Sequence, residues 1–211
     1  MPRTADHAQR REQILQAMTA VALRDGLPAV SMRAVAAEAG ISLRLVQYYF
    51  GSKAALMHAG LEQLESRSLQ RWSSRTVGGG QASAFDTLLA LFAEALPVDD
   101  EQRAFHFLWM SYAVLAMTDG DIPGRTFIQG PDRLQARIAA ELERGIANRE
   151  FRAAIDPAIE SAALLALLHG LGTAVLVGQQ DSATAMAAAT LQLDRLRCAD
   201  GMNRPPGPGA D

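Results

Sequence analysis

The feature that most constrains this chain is the spacing of small, apolar and capping residues between Ser31 and Phe50. Ser31 is placed to cap a short helix over 32–38, and Ser42 a second over 43–48 or 43–49. Ala39-Gly40-Ile41 leaves room between them only for a tight turn. Gly40 supplies the positive φ at which a Cβ would be penalised. Ala36 is small where the second helix must cross close above the first. Ile41 and Val46 are expected to point inward and lock the pair together, with Val35 and Phe50 anchoring it to the flanking helices. Two short helices joined by a glycine-containing turn form a helix-turn-helix.

The rest of the chain reads as helix, so the fold class is all-α with about nine helices. No segment alternates apolar and polar residues for long enough to suggest a strand. Ile14, Met18, Val21 and Ala22 mark one face of a helix over about 9–25, stopped by Gly26. Gly51 ends the second short helix, and Ser52 caps a long one over 53–75. Residues 77–80 form the clearest flexible break, and helices at about 82–96 and 101–118 follow. Residues 119–130, with three glycines and Pro123, read as a long loop. Further helices are expected over 131–148, 157–178 and 182–198, and the proline- and glycine-rich tail 199–211 reads as disordered. The domains expected are therefore a helix-turn-helix head at 1–52, a helical body at 53–198 that begins with a connecting helix over 53–75, and the tail.

Charge is distributed unevenly. The net charge of −3 conceals an excess of +3 in residues 1–58, from seven basic and four acidic side chains, which leaves −6 for the remainder. That asymmetry suits an end that meets a polyanion. The outward face of the second short helix presents Ser42, Leu43, Arg44, Gln47 and Tyr48. Arginine pairs bidentately with guanine and glutamine with adenine, so Arg44 and Gln47 are the expected base readers. Tyr48 and Tyr49 can donate hydroxyls to phosphate. Lys53 opens a helix whose free N–H groups already favour an anion, which makes it a phosphate clamp. Ser31 and Arg33, at the start of the first short helix, complete the expected contacts to double-stranded DNA.

The ordered run Ser31, Val35-Ala36, Ala39-Gly40-Ile41-Ser42, Tyr49-Phe50, Lys53 and Leu56 resembles the N-terminal domain of the TetR family of bacterial transcription regulators. Gln47 stands where that pattern usually has tyrosine, and Tyr49 where it commonly has histidine. A weaker resemblance covers residues 145–152, Asp156-Pro157 and 166–171, where His169 replaces the usual acidic residue. The resemblance implies a dimeric repressor released from a palindromic operator by a small molecule bound among the helices between 82 and 148. Phe85, Phe92, Phe105, Trp109, Tyr112 and His169, with His106, are the expected pocket residues, although aromatic stripes of this kind also suit a plain core. Gly170, Ala174 and Gly178 make a stripe of small residues at helical spacing and, with Leu191, form the expected homodimer surface. The same stripe also suits a contact within one chain.

Other classes find less support. The four histidines are scattered, no metal set is evident, and no nucleophile elbow or phosphate-binding glycine loop occurs. Neither an enzyme, a cofactor nor a catalytic residue is therefore expected. A helical hairpin that binds another protein is the remaining alternative. Cys198 is the only cysteine, so no intrachain disulfide can form, and a reducing cytoplasm fits. The polar start offers no apolar run of signal-peptide type. The longest apolar stretch, 162–178, contains His169 and Thr173 and reads as a buried helix rather than a membrane span.

Overall fold

A computed structural model describes residues 3–76, 82–118 and 124–198. Among them every regular element is a helix, with one isolated antiparallel bridge between Phe151 and Arg197. The elements are α1 (Arg3–Asp25), α2 (Met32–Glu38), α3 (Leu43–Phe50), α4 (Lys53–Thr76), α5 (Ala84–Ala95), α6 (Asp100–Thr118), α7 (Gly124–Ala147), α8 (Pro157–Leu176) and α9 (Ser182–Asp194), with a 3-10 turn at Leu27–Ala29. The break expected at 77–80, residues 119–123 and the tail after 198 lie outside the described residues.

Two elements begin earlier than their patterns suggest. Helix α1 starts at Arg3 rather than near residue 9. Residues 3–8 are mostly polar and carry no apolar period, yet they contain no breaker either. Residues 124–130, expected as loop, form the first turns of α7. Gly130 serves close packing there rather than a turn: a Cβ on it would fall 1.9 Å from the Glu65 carboxylate on α4. Pro131 is accommodated inside the same helix.

The chain divides into two compact units. The first comprises residues 1–71 and 97–132. Its core gathers Ile14, Leu15, Met18 and Val21 of α1, Leu27 and Val30 of the connection, Val35 of α2, Val46 of α3 and Leu56, Met57 and Leu61 of α4. Leu108 and Tyr112 of α6 enter the same core. Serine caps close the short helices: Ser31 Oγ accepts from Ala34 N at 3.1 Å, and Ser42 Oγ from Leu45 N at 3.2 Å. Gly40, in the turn between them, has φ +65°. Gln13 of α1 donates to the carbonyl oxygen of Ala39 at 2.8 Å and fastens that turn to α1.

The second unit comprises residues 72–96 and 133–211. Helices α5, α8 and α9 pack together. Leu88 and Phe92, Leu164, Leu168 and Leu171, and Ala185, Ala189 and Leu193 are buried there, as are Ile138 and Leu142 of α7. The Trp72 indole donates to Thr87 O at 2.9 Å, and Arg144 donates to Ala82 O at 3.0 Å. Helix α8 is long and apolar enough to cross a membrane, with a mean hydropathy of 1.6. In the fold, one side of it is covered by α5 and α9.

Gly145 marks the tightest approach in this second unit. A Cβ there would meet the Phe151 ring at 2.2 Å and Ala84 Cβ at 2.9 Å. Gly145→Ala should therefore cost about 1–3 kcal/mol from overpacking, and Phe151→Ala about 3–5 kcal/mol from the cavity. In the double variant the ring is gone and only the 2.9 Å approach to Ala84 remains, so the added methyl should cost less than it does beside the ring. Urea denaturation of all four proteins measures that coupling, and additive losses would contradict the contact.

Candidate nucleic-acid interface

Helix α3 is short, and its orientation is set by two residues. Val46 is fully buried and Phe50 nearly so. With helical periodicity, that places Arg44, Gln47 and Tyr48 outward, and all three are exposed, Tyr48 to 74%. Leu43 differs from its expected exposure. It is half-buried and packs against the core, because it follows the cap directly and leans back over the turn. Tyr49 is half-buried as well. Its ring lies 5.5 Å from Tyr48, edge-on, and 4.5 Å from His7 of α1.

Ser31 and Arg33 are exposed at the start of α2, and Ser42 at the start of α3. The two serine oxygens accept cap bonds from the backbone, so each hydroxyl retains its hydrogen for an outside acceptor. Lys53 is the first residue of α4, half-buried, behind Ser52, whose Oγ accepts from Ala55 N at 3.1 Å. The N–H groups of that first turn, with the ammonium beside them, make an electropositive corner.

The electrostatics follow from where the acids have gone. Arg24 forms ion pairs with Asp25 at 2.9 Å and with Glu38 at 2.8 Å. Hydrogen bonds to those two carboxylates raise its already high pKa further. Glu12 bonds Gln63 and Arg67 of α4. Glu12, Asp25 and Glu38 are thus all engaged by other groups. Arg33, Arg44 and Lys53 have no ion-pair or hydrogen-bond partner among the described residues. Three unmatched cations, one on each of α2, α3 and α4, thus accompany an exposed Gln47 and Tyr48, side chains suited to a polyanion with readable base edges.

The expected effector residues fall in both units. Phe105, Trp109 and Tyr112 lie on α6 in the first unit, with Tyr112 buried and the other two packed against the core. His106 is buried beside Trp109, their ring centroids 6.3 Å apart. Burial holds its imidazole below the usual histidine range and raises the Tyr112 phenol above its own, so both are neutral at pH 7. Phe85, Phe92 and His169 belong to the second unit. Phe92 is core, Phe85 carries the Arg197 guanidinium 4.7 Å above its ring, and His169 is half-buried on α8. Among the dimer residues, Gly170 and Gly178 are exposed, Ala174 is half-buried and Leu191 is 55% exposed. No group of three histidine, cysteine or acidic side chains suited to a metal occurs among the described residues.

Two features escape the sequence pattern. The stack of His7 on Tyr49 depends on the early start of α1, which apolar periodicity does not reveal. The pairing of Arg24 with Glu38, fourteen positions away, engages an acid that could otherwise offset another cation, and nothing in the local sequence marks it.

Comparison with known proteins supplies the family. Residues 14–59 match the family model described as bacterial regulatory proteins, tetR family. Residues 84–197 match the model described as BetI-type transcriptional repressor, C-terminal. The regulator BetI of Burkholderia cenocepacia is 26% identical over 204 residues, covering 95% of this chain and all of BetI. The regulator PksA of Bacillus subtilis is 25% identical over 122 residues, 58% of each chain. Among solved structures, a TetR-family regulator of Rhodococcus superposes with a TM-score of 0.81 at 21% identity, covering 90% of this chain and all of the other. A transcriptional regulator of Saccharomonospora viridis in complex with choline superposes with a TM-score of 0.73 at 23% identity, covering 89% and 95%.

Lys53→Ala and Arg33→Ala should each weaken binding to every duplex alike. Each should also lower the slope of log affinity against log salt by about 1. Fluorescence anisotropy over a salt series measures both. An unchanged slope with a changed base preference would remove either residue from the backbone-contact set.

Proposed function

The chain belongs to the TetR family of bacterial regulatory proteins, and we propose that it is a repressor that binds a palindromic operator as a homodimer and is released by a small molecule. The observation that carries this reading is the set of unmatched cations, Arg33, Arg44 and Lys53, around the exposed face of α3. In this reading Arg44 and Gln47 read base edges. Ser31, Arg33, Ser42, Tyr48, Tyr49 and Lys53 hold the phosphates, and Leu43 supports the edge of the contact. Residues 1–52 act as the reading head and 53–198 as the regulatory body, in the cytoplasm where the DNA lies.

A single short reading helix covers one half-site, so two heads are needed, spaced by about one turn of DNA, ~34–36 Å. The second copy is argued from α8. That helix is apolar on every side, yet only one side is covered among the described residues. Ala162, Ala163, Ala166 and Gly170 are exposed on it, as are Ile159 and Val177 at its ends and Leu191 on α9. A helix apolar all round is normally buried. Small residues at helical spacing let a partner's helix approach closely, and α8 and α9 from two subunits would form a four-helix interface.

Release by a ligand requires α6 to influence the head. Leu108 and Tyr112 of α6 share one core with α1, α3 and α4, and Arg71 of α4 bonds Glu101 of α6. Arg67, one turn earlier on α4, bonds Glu12 of α1. A ligand that repositions α6 would thus shift α4 and the head together, and a coupling of ~1–3 kcal/mol changes DNA affinity by about 5–150-fold. Choline is the first effector to test, because the Saccharomonospora viridis relative binds it. The uncharged aromatic set of His106, Trp109 and Tyr112 also suits a quaternary ammonium.

Two measurements test the reading. Gly170 has open space around it within the chain, so Gly170→Arg should leave the subunit folded but shift sedimentation from dimer to monomer. It should also abolish tight operator binding. Unchanged sedimentation would exclude this face as the interface. Operator affinity titrated with choline and with other small cations should fall at least 5-fold for the true effector. If a compound binds the protein without altering DNA affinity, it is not an effector that acts by release.

A further inference from the structure

We propose that His7 is a further backbone-contacting residue of the DNA interface, held beside the end of the reading helix by its stack on Tyr49. This rests on the DNA-binding reading above. Three rings run in sequence from the exposed face of α3 to the side of α1: Tyr48, then Tyr49 at 5.5 Å, then His7 at a further 4.5 Å. Tyr48 belongs to the reading face and His7 is itself exposed, so the run begins and ends at the surface and passes through the half-buried Tyr49. A surface histidine on a helix is ordinarily free to choose among rotamers. The stack instead fixes this imidazole at a defined place, and fixing an exposed side chain costs entropy that some contact must offset.

Nothing among the described residues uses the ring nitrogens. No hydrogen bond to either is formed among the described residues. Glu12, the next acid along α1 among the described side chains, is held by Gln63 and Arg67. A neutral imidazole still has one N–H to donate and an imidazolium two. A fitting acceptor is an anion from outside. The anion next in line is the phosphate beyond those met by Tyr48 and Lys53, since a DNA strand continues past the end of the helix lying in its groove. His7 thus lengthens the backbone contact from a third helix, α1.

The competing role is mechanical, with His7 acting only as a wall for Tyr49. His7→Phe separates the two roles, because it keeps an aromatic ring against Tyr49 and removes the donor. His7→Ala removes both. Affinity of the full chain would be measured for a duplex it selects from a random pool and for an unrelated duplex, with melting temperature as the fold control. A hydrogen bond to a charged group is worth about tenfold or more, so both variants should lose about tenfold. The loss should be equal on the two duplexes, with the preferred sequence and melting temperature unchanged. Wild-type affinity in His7→Phe would show a buttress and overturn the proposal. A loss confined to the selected duplex would make His7 a base reader and overturn it equally. Failure of the wild-type chain to bind any duplex would instead overturn the DNA-binding reading itself.

Discussion

The burial of Val46 is the interaction on which the rest of the arrangement depends. Helix α3 is only eight residues long, far too short to be stable alone in water. It exists because Val46 and Phe50 enter a core already built by α1, α2 and α4. Once that face is fixed inward, the opposite face has no freedom, and Arg44, Gln47 and Tyr48 must point to solvent. Ala36 and Gly40 permit the approach, the first by being small and the second by its φ of +65°. The reading surface is thus a consequence of packing, and its chemistry lies in side chains outside the core.

The same economy governs the charges. An excess of basic residues tells little by itself, because neighbouring acids can cancel it. Here three acids of the first helices are engaged: Glu38 and Asp25 by Arg24, and Glu12 by the α4 residues Gln63 and Arg67. These pairings brace α1 against α2 and α4. They also leave the cations around α3 uncompensated. Exposed ion pairs contribute little to stability. Their larger effect here is on which surface remains positive.

The helix-turn-helix was legible because every part of it is encoded locally. Ser31, Ser42 and Ser52 each precede a helix, and each accepts the cap bond its position predicts. Periodicity also located the long helices. It failed where glycine and proline have tertiary reasons to be present. Gly130 reads as a loop residue until the Glu65 carboxylate is seen to occupy the space of its missing Cβ. It failed too at the start of α1, where polar residues continue a helix without marking it. Contacts between distant residues, such as His7 with Tyr49, have no local signature at all. Leu43 was misread for a related reason: a cap-adjacent position can lean either way, and only the packed core decides it.

The central claim is that the outward face of α3 reads DNA on behalf of a symmetric dimer. The most direct measurement is selection of bound duplexes from a random pool, performed in parallel with the wild-type chain and with Gln47→Ala. The account predicts a palindromic consensus for the wild type. For the variant it predicts the same palindrome with preference lost at one position in each half-site, because Gln47 reads a base there while the phosphate contacts stay intact. A consensus without two-fold symmetry, or identical preferences for the two proteins, would contradict it.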